Sequence, residues 1–166
     1  MQENRAIEIL KSAMLLEMRG KSFYRSAAAQ SSNPAIKQFF EIMAEEEDYH
    51  IKILSDQYKA FRESGKFKDA AYSKATANVA SAVLNDALKE KIQSAGFESA
   101  AIQAAMAMEE RAIKLYAERA GETDEPEERK LYEWLSDWEN GHLTILMDMD
   151  RELTEKIWND NQFWPF

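Results

Sequence analysis

The chain has 166 residues, the size of one domain and long enough to bury a core. Its 30 acidic and 21 basic side chains leave a net charge of −9, which argues against nucleic acid or an anionic membrane as a partner. There is no cysteine, which excludes disulfides, thiolate metal sites and iron–sulfur clusters; with no long apolar run and no signal-like start, a cytoplasmic protein is expected.

Glycine (5) and proline (3) are scarce, and no stretch alternates with period two, so helix is predicted nearly throughout. The first helix is expected over 4–30, with a seam of Ile7, Leu10, Met14, Glu17, Tyr24 and Ala28, and Gly20 or Lys21 between the last few. "QSSNPAI" around Pro34 reads as a helix end, a cap and a proline in the next first turn. The second helix then runs over 34–63, with the seam Ile36, Phe40, Met43, Glu47, His50, Leu54, Gln57, Phe61. "ESGKFKDAAYS" (63–73) ends it, and residues 64–97 form a long link, with a short helix near 83–93. So long a connection predicts a crossover between distant bundle ends.

"SAGFES" (94–99) opens a third helix over 98–121, whose seam is Ile102, Met106, Glu109, Ile113, Tyr116, Ala120. "GETDEPEE" around Pro126 repeats the cap-and-proline signal. The fourth helix spans 126–159 with the seam Tyr132, Leu135, Glu139, His142, Leu146, Met149, Leu153. The aromatic tail "DNQFWPF" (160–166) is expected to dock on the bundle itself or on a dimer mate. Glu45, Glu46 and Asp48 read as a solvated helix face, Trp134 and Trp138 as packing, and the eight methionines mostly as core filler.

A shift of 92 residues lays the first hairpin on the second without a gap. Ala13, Met14, Glu17, Arg19, Tyr24 and Ala28 meet Ala105, Met106, Glu109, Arg111, Tyr116 and Ala120. Pro34, Glu41, Glu47, His50, Ile53, Leu54 and Asp56 meet Pro126, Glu133, Glu139, His142, Ile145, Leu146 and Asp148. The chain is therefore one domain built from two copies of a helical hairpin, about 4–63 and 98–159, joined by the crossover 64–97.

Every seam is apolar at both ends and polar at its middle. Four bare carboxylates gathered in a core are costly or must take up protons, so a compensating positive charge is required. Two divalent cations match the four charges of Glu17, Glu47, Glu109 and Glu139, with neutral His50 and His142 completing the shells. The i, i+3 spacing lets one helix offer a carboxylate and an imidazole to the same ion. One glutamate from each of two helices plus Glu-x-x-His from each of the other two is the ligand set of di-iron and di-manganese bundles. Oxygen and nitrogen ligation of this kind suits iron first, manganese second, and zinc as a substitute.

The sequence resembles the ferritin-like superfamily, and within it the rubrerythrin-type proteins, over essentially the whole chain. The resemblance rests on "LLEMRGKSFY" (15–24) with "AMEERAIKLY" (107–116), and "EEEDYH" (45–50) with "SDWENGH" (136–142). It implies a ferritin-like four-helix bundle with two iron ions. Glu17 and Glu109 would be terminal ligands, Glu47 and Glu139 bridges, and His50 and His142 would bind one metal each. Tyr24 and Tyr116, two turns beyond the terminal glutamates, would donate hydrogen bonds to ligand carboxylates, mediate electron transfer, or simply pack in the core. Two departures stand out. The chain has no cysteine for a rubredoxin-type domain, and Ala112 stands where many peroxidase members add a carboxylate. The expected function is reduction of peroxide or O2 with electrons from an external donor such as a small redox protein, in a homodimer or larger homo-oligomer. The alternatives are iron binding with ferroxidation for sequestration, and a bundle that metal merely stabilises.

Overall fold

The computed structural model describes residues 2–72 and 96–160. They form the helices α1 (Gln2–Gln30), α2 (Pro34–Ser64), α3 (Phe97–Glu122) and α4 (Pro126–Asp160), with no strand among the described residues. None of these helices is long and apolar enough to cross a membrane. The short helix expected near 83–93 and the aromatic tail beyond Asp160 lie outside the described residues.

The helix ends follow from local chemistry. Asn33 accepts a hydrogen bond from the Ala35 amide at 3.0 Å and Pro34 takes the first helical position, where its missing N–H costs nothing. At the other end of α2 the chain turns through Gly65 at φ +68°, and the Gly65 amide closes on the Phe61 carbonyl at 2.8 Å. The α3–α4 turn is fastened by a buried ion pair. Arg119 donates from Nε and Nη2 to Glu128 at 2.8 and 2.6 Å, and the Thr123 hydroxyl adds a third bond to Glu128 at 2.5 Å.

The repeat puts Ala27 and Ile36 at the positions of Arg119 and Glu128, so the first hairpin closes the same corner with apolar packing. Glu128→Ala, which leaves Arg119 buried without its partner, is expected to cost about 3–5 kcal/mol. Arg119→Ala combined with Glu128→Ile copies the first hairpin and should recover most of that loss. Urea unfolding of the two variants checks both values.

Two apolar clusters flank a polar middle, and each draws on both hairpins. One gathers Tyr24, Ile36, Phe39, Phe40 and Met43 with Ile102, Leu146, Met149 and Leu153. The other gathers Leu10, Leu54 and Phe61 with Tyr116, Leu131, Tyr132 and Leu135. α2 thus ends beside the second cluster, while α3 begins beside the first. The link between them starts and finishes at opposite ends of a ferritin-like four-helix bundle.

The seams of α2 and α4 are buried throughout. Those of α1 and α3 differ in detail, because Ile7, Met14, Met106 and Ile113 are only half-buried. The deepest positions there go to small residues, Ala6, Ala13 and Gly20 on α1 and Ala105 and Ala112 on α3. α1 and α3 also contact each other directly, though less extensively than the helices within each hairpin. Two methionines are not core filler: Met18 and Met147 are more than half exposed.

Candidate metal centre

Positions 17 and 24 on α1, and 109 and 116 on α3, are seven residues apart, which places each pair on one helix face. Glu47–His50 on α2 and Glu139–His142 on α4 are three apart and share a face in the same way. Antiparallel packing brings these four faces to one level between the apolar clusters. Glu17, Glu47, His50, Glu109, Glu139 and His142 are each no more than 3% exposed.

Their atoms converge in two overlapping groups. Glu17, Glu47, His50 and Glu139 each place one ligand atom within 4.8 Å of the others, and so do Glu47, Glu109, Glu139 and His142. Glu47 and Glu139 belong to both groups, whereas the other four residues belong to one each. His50 Nδ1 lies 3.1 Å from Glu17 and 2.9 Å from Glu139, and His142 Nδ1 lies 2.9 Å from Glu139 and 3.6 Å from Glu109. Both imidazoles therefore turn the same nitrogen inward. The tyrosines reach across the repeats, with Tyr24 donating to Glu109 and Tyr116 donating to Glu17.

Burial sets the proton affinities. It pushes the Glu47 carboxyl well above the carboxylate range, assisted by the Glu17 and Glu139 charges, and it pushes Glu109 up to about 8. Burial works against charge on the imidazoles too. The carboxylates outweigh it, Glu139 and Glu17 raising His50 well above the usual histidine range and Glu139 doing the same for His142. Glu139 also pays desolvation, but His50 and His142 hold its carboxyl below the carboxylate range. Burial and the neighbouring glutamates raise both tyrosines far above 10, so their hydroxyls remain donors.

Without metal, then, the centre is held together by protons. The residues fit divalent cations better. Glu139 Oε1 is buried, carries charge, sits where both groups overlap and has His50 Nδ1 at 2.9 Å but no well-aligned hydrogen bond. Two neutral imidazoles and four carboxylates supply all-oxygen and nitrogen donors with a balancing charge for two M²⁺ ions.

A cavity of about 270 Å³ opens onto this centre between α1 and α3. Its inner wall is Glu17, Glu47, Glu109 and Glu139, and Gly20 and Ala112 flank the approach. A Cβ at Gly20 would meet Glu47 Cδ at 3.3 Å, closer than comfortable contact. Gly20→Ala is expected to add up to about 1 kcal/mol of helix stability while displacing Glu47 and weakening metal binding. Thermal melts of the metal-free variant and a calorimetric metal titration read the two effects separately.

Of the three acidic residues assigned to a solvated face, only Glu45 is exposed. Asp48 pairs with Lys21 and with Lys52, which hold its carboxyl down at about 2. Glu46 departs furthest from expectation. Its side chain is 12% exposed, meets His142 Nε2 and accepts from Trp138 Nε1 at 3.0 Å. Trp134 and Trp138 pack against His50, with ring centroids 5.5 and 5.2 Å away. The sequence did carry a signal for Glu46, since it precedes a seam glutamate and the repeat places Trp138 at its counterpart position.

Comparison with known proteins agrees with this architecture. A hypothetical protein from Pyrococcus furiosus shares the fold, with a TM-score of 0.63, 23% identity and 90% of each chain covered. No curated protein matches. The Rubrerythrin family model matches residues 8–149, which include all four helices' polar midsections. With a buried glutamate and histidine cluster compatible with metal at its centre, the chain belongs to the rubrerythrin family, within the ferritin-like superfamily.

Proposed function

We propose that this protein is a di-iron oxidoreductase that reduces peroxide or O2 with electrons from an external donor. The observation that carries this reading is the pair of overlapping ligand groups sharing Glu47 and Glu139 at the floor of a cavity open to small molecules. Glu17 and His50 would complete one iron position, and Glu109 and His142 the other. When bound, a pair of irons supplies two electrons, enough to take one peroxide to two waters on uptake of two protons.

The chain's own residues prepare that step in several ways. Tyr24 and Tyr116 hold Glu109 and Glu17 in place, and their hydroxyls keep protons within reach of the centre. Gly20 and Ala112 leave room for a small oxidant, while Leu16 and Met108 line the entry with apolar surface. Glu47 and Glu139 lie between the two groups, where a carboxylate can shift its binding as the metal charge rises. With no cysteine in the chain, electrons have to come from outside, and a small redox protein is the expected donor.

Anaerobic protein loaded with two ferrous ions per chain and mixed with peroxide tests the reading. The proposal expects oxidation at one peroxide per two irons, followed by steady turnover once a reductant is supplied. A single round of oxidation, with iron then accumulating beyond two per chain, would favour sequestration. No oxidation would overturn both.

A further inference from the structure

The two halves of the centre repeat each other closely, but their outer contacts do not. A shift of 92 carries Glu46 onto Trp138. Glu46 reaches from α2 to Nε2 of His142 on α4. Trp138 reaches back from α4 to the ring of His50 on α2, perpendicular to it at 5.2 Å. The Trp138 indole borders both imidazoles, its Nε1 lying 3.2 Å from His142 Nε2, but the Glu46 carboxylate stands behind His142 alone. His50 Nε2 is fully buried and has no hydrogen-bond partner among the described residues.

We propose that the two metal positions are unequal, and that Glu46 makes the position served by His142 the tight one, filled first. The inference rests on the two-metal reading given above. A metal takes the inward nitrogen, Nδ1, of each histidine, which requires the ring proton to sit on Nε2. For His142 that proton has an acceptor ready in Glu46, which holds the ring in the orientation a metal on Nδ1 requires. Glu46 is itself oriented by Trp138 Nε1 at 3.0 Å. For His50 the same tautomer points a buried N–H at Trp134 and Trp138, whose ring faces are weak acceptors. Both rings turn Nδ1 toward carboxylates, so an incoming metal displaces a proton from either, but only at His142 does the Nε2–H that remains meet a carboxylate. An outer hydrogen bond of this type commonly changes metal affinity 10- to 100-fold.

Glu46 is a positioning residue in this account, acting on metal only through His142. The test is a calorimetric titration of metal-free protein with Zn²⁺, which binds such ligands without redox change. Two steps are expected, their affinities separated by about 10- to 100-fold. His142→Ala should remove the tight step and His50→Ala the weak one. Glu46→Ala should bring the tight step down toward the weak one and leave the weak step where it was. Glu46→Gln keeps the shape and an acceptor oxygen, so it should restore part of the difference.

Nitrogen and proton NMR of the zinc-loaded protein reads the cause directly, with the His142 Nε2–H resonance shifted by its hydrogen bond to Glu46 in wild type and losing that shift in Glu46→Ala. A merely structural role for Glu46 would not move the resonance of that ring proton. Two equal steps in wild type, or equal weakening of both steps by Glu46→Ala, would overturn the inference and leave the two-metal reading intact. No zinc binding at all would overturn both.

Discussion

Excess Mn²⁺ added to the metal-free protein at pH 7 is expected to raise its melting temperature by more than about 10 °C. A ligand that binds only the folded state at 1,000 times its dissociation constant contributes about 4 kcal/mol per site, and a domain of this size gains about 2–4 °C per kcal/mol. The rise should be much smaller at pH 5, because the ions displace protons that bind harder there. Metal-free protein should show the opposite trend. Glu47, Glu109, His50 and His142 all have folded-state proton affinities above their unfolded ones. The stability they contribute is complete below the unfolded values and is lost as pH rises through the folded ones, near 8 for Glu109. Each retained proton contributes a slope of about 1.4 kcal/mol per pH unit. Glu139 runs the other way: its carboxyl is lowered, so its contribution is present above the ordinary carboxylate value and disappears in acid. Metal-free protein should therefore melt highest in mildly acidic solution and lose stability toward pH 8. Melts with and without Mn²⁺ at pH 5, 7 and 8 check both trends. A melting temperature indifferent to metal at all three would show that the buried carboxylates do not hold a cation.

Glu47→Ala and Glu139→Ala should each empty the centre of both ions, whereas Glu17→Ala and Glu109→Ala should each lose one. The difference follows from membership, since Glu47 and Glu139 take part in both ligand groups and Glu17 and Glu109 in one each. Removing a shared carboxylate also leaves the two positions facing each other with one negative charge too few, and like charges a few ångströms apart in a low-dielectric core repel strongly. Elemental analysis of protein purified without oxygen measures the result directly. Retention of one ion in Glu47→Ala would mean that this glutamate serves a single position. A circular dichroism melt of each of the four variants separates loss of ligand from loss of structure.

Most of the fold was legible because helix seams leave a strong periodic trace. The repeat of 92 did more still, since it showed which polar residues on those seams belong together. What escaped was whatever depends on reach rather than period. Glu46 sits one step off the seam of α2, a position that periodicity assigns to solvent, yet its side chain is long enough to cross to α4. Tyr24 lies two turns from Glu17 along α1, but its hydroxyl serves Glu109 on another helix. Seam arithmetic also favoured Met14 and Met106 over Ala13 and Ala105. The structure reverses that choice, burying Ala13 and Ala105 and leaving Met14 and Met106 half-buried.

The crossed contacts bear on how such a chain could arise. Neither hairpin contains a whole ligand group: Glu17, Glu47 and His50 need Glu139, and Glu109, Glu139 and His142 need Glu47. Two separate copies of a single hairpin, paired about a twofold axis, would present the same six ligands and the same reciprocal tyrosine bonds. In such a pair every substitution would strike both halves at once. Joining the copies into one chain lifts that restriction, so a glutamate in one copy can face an indole in the other.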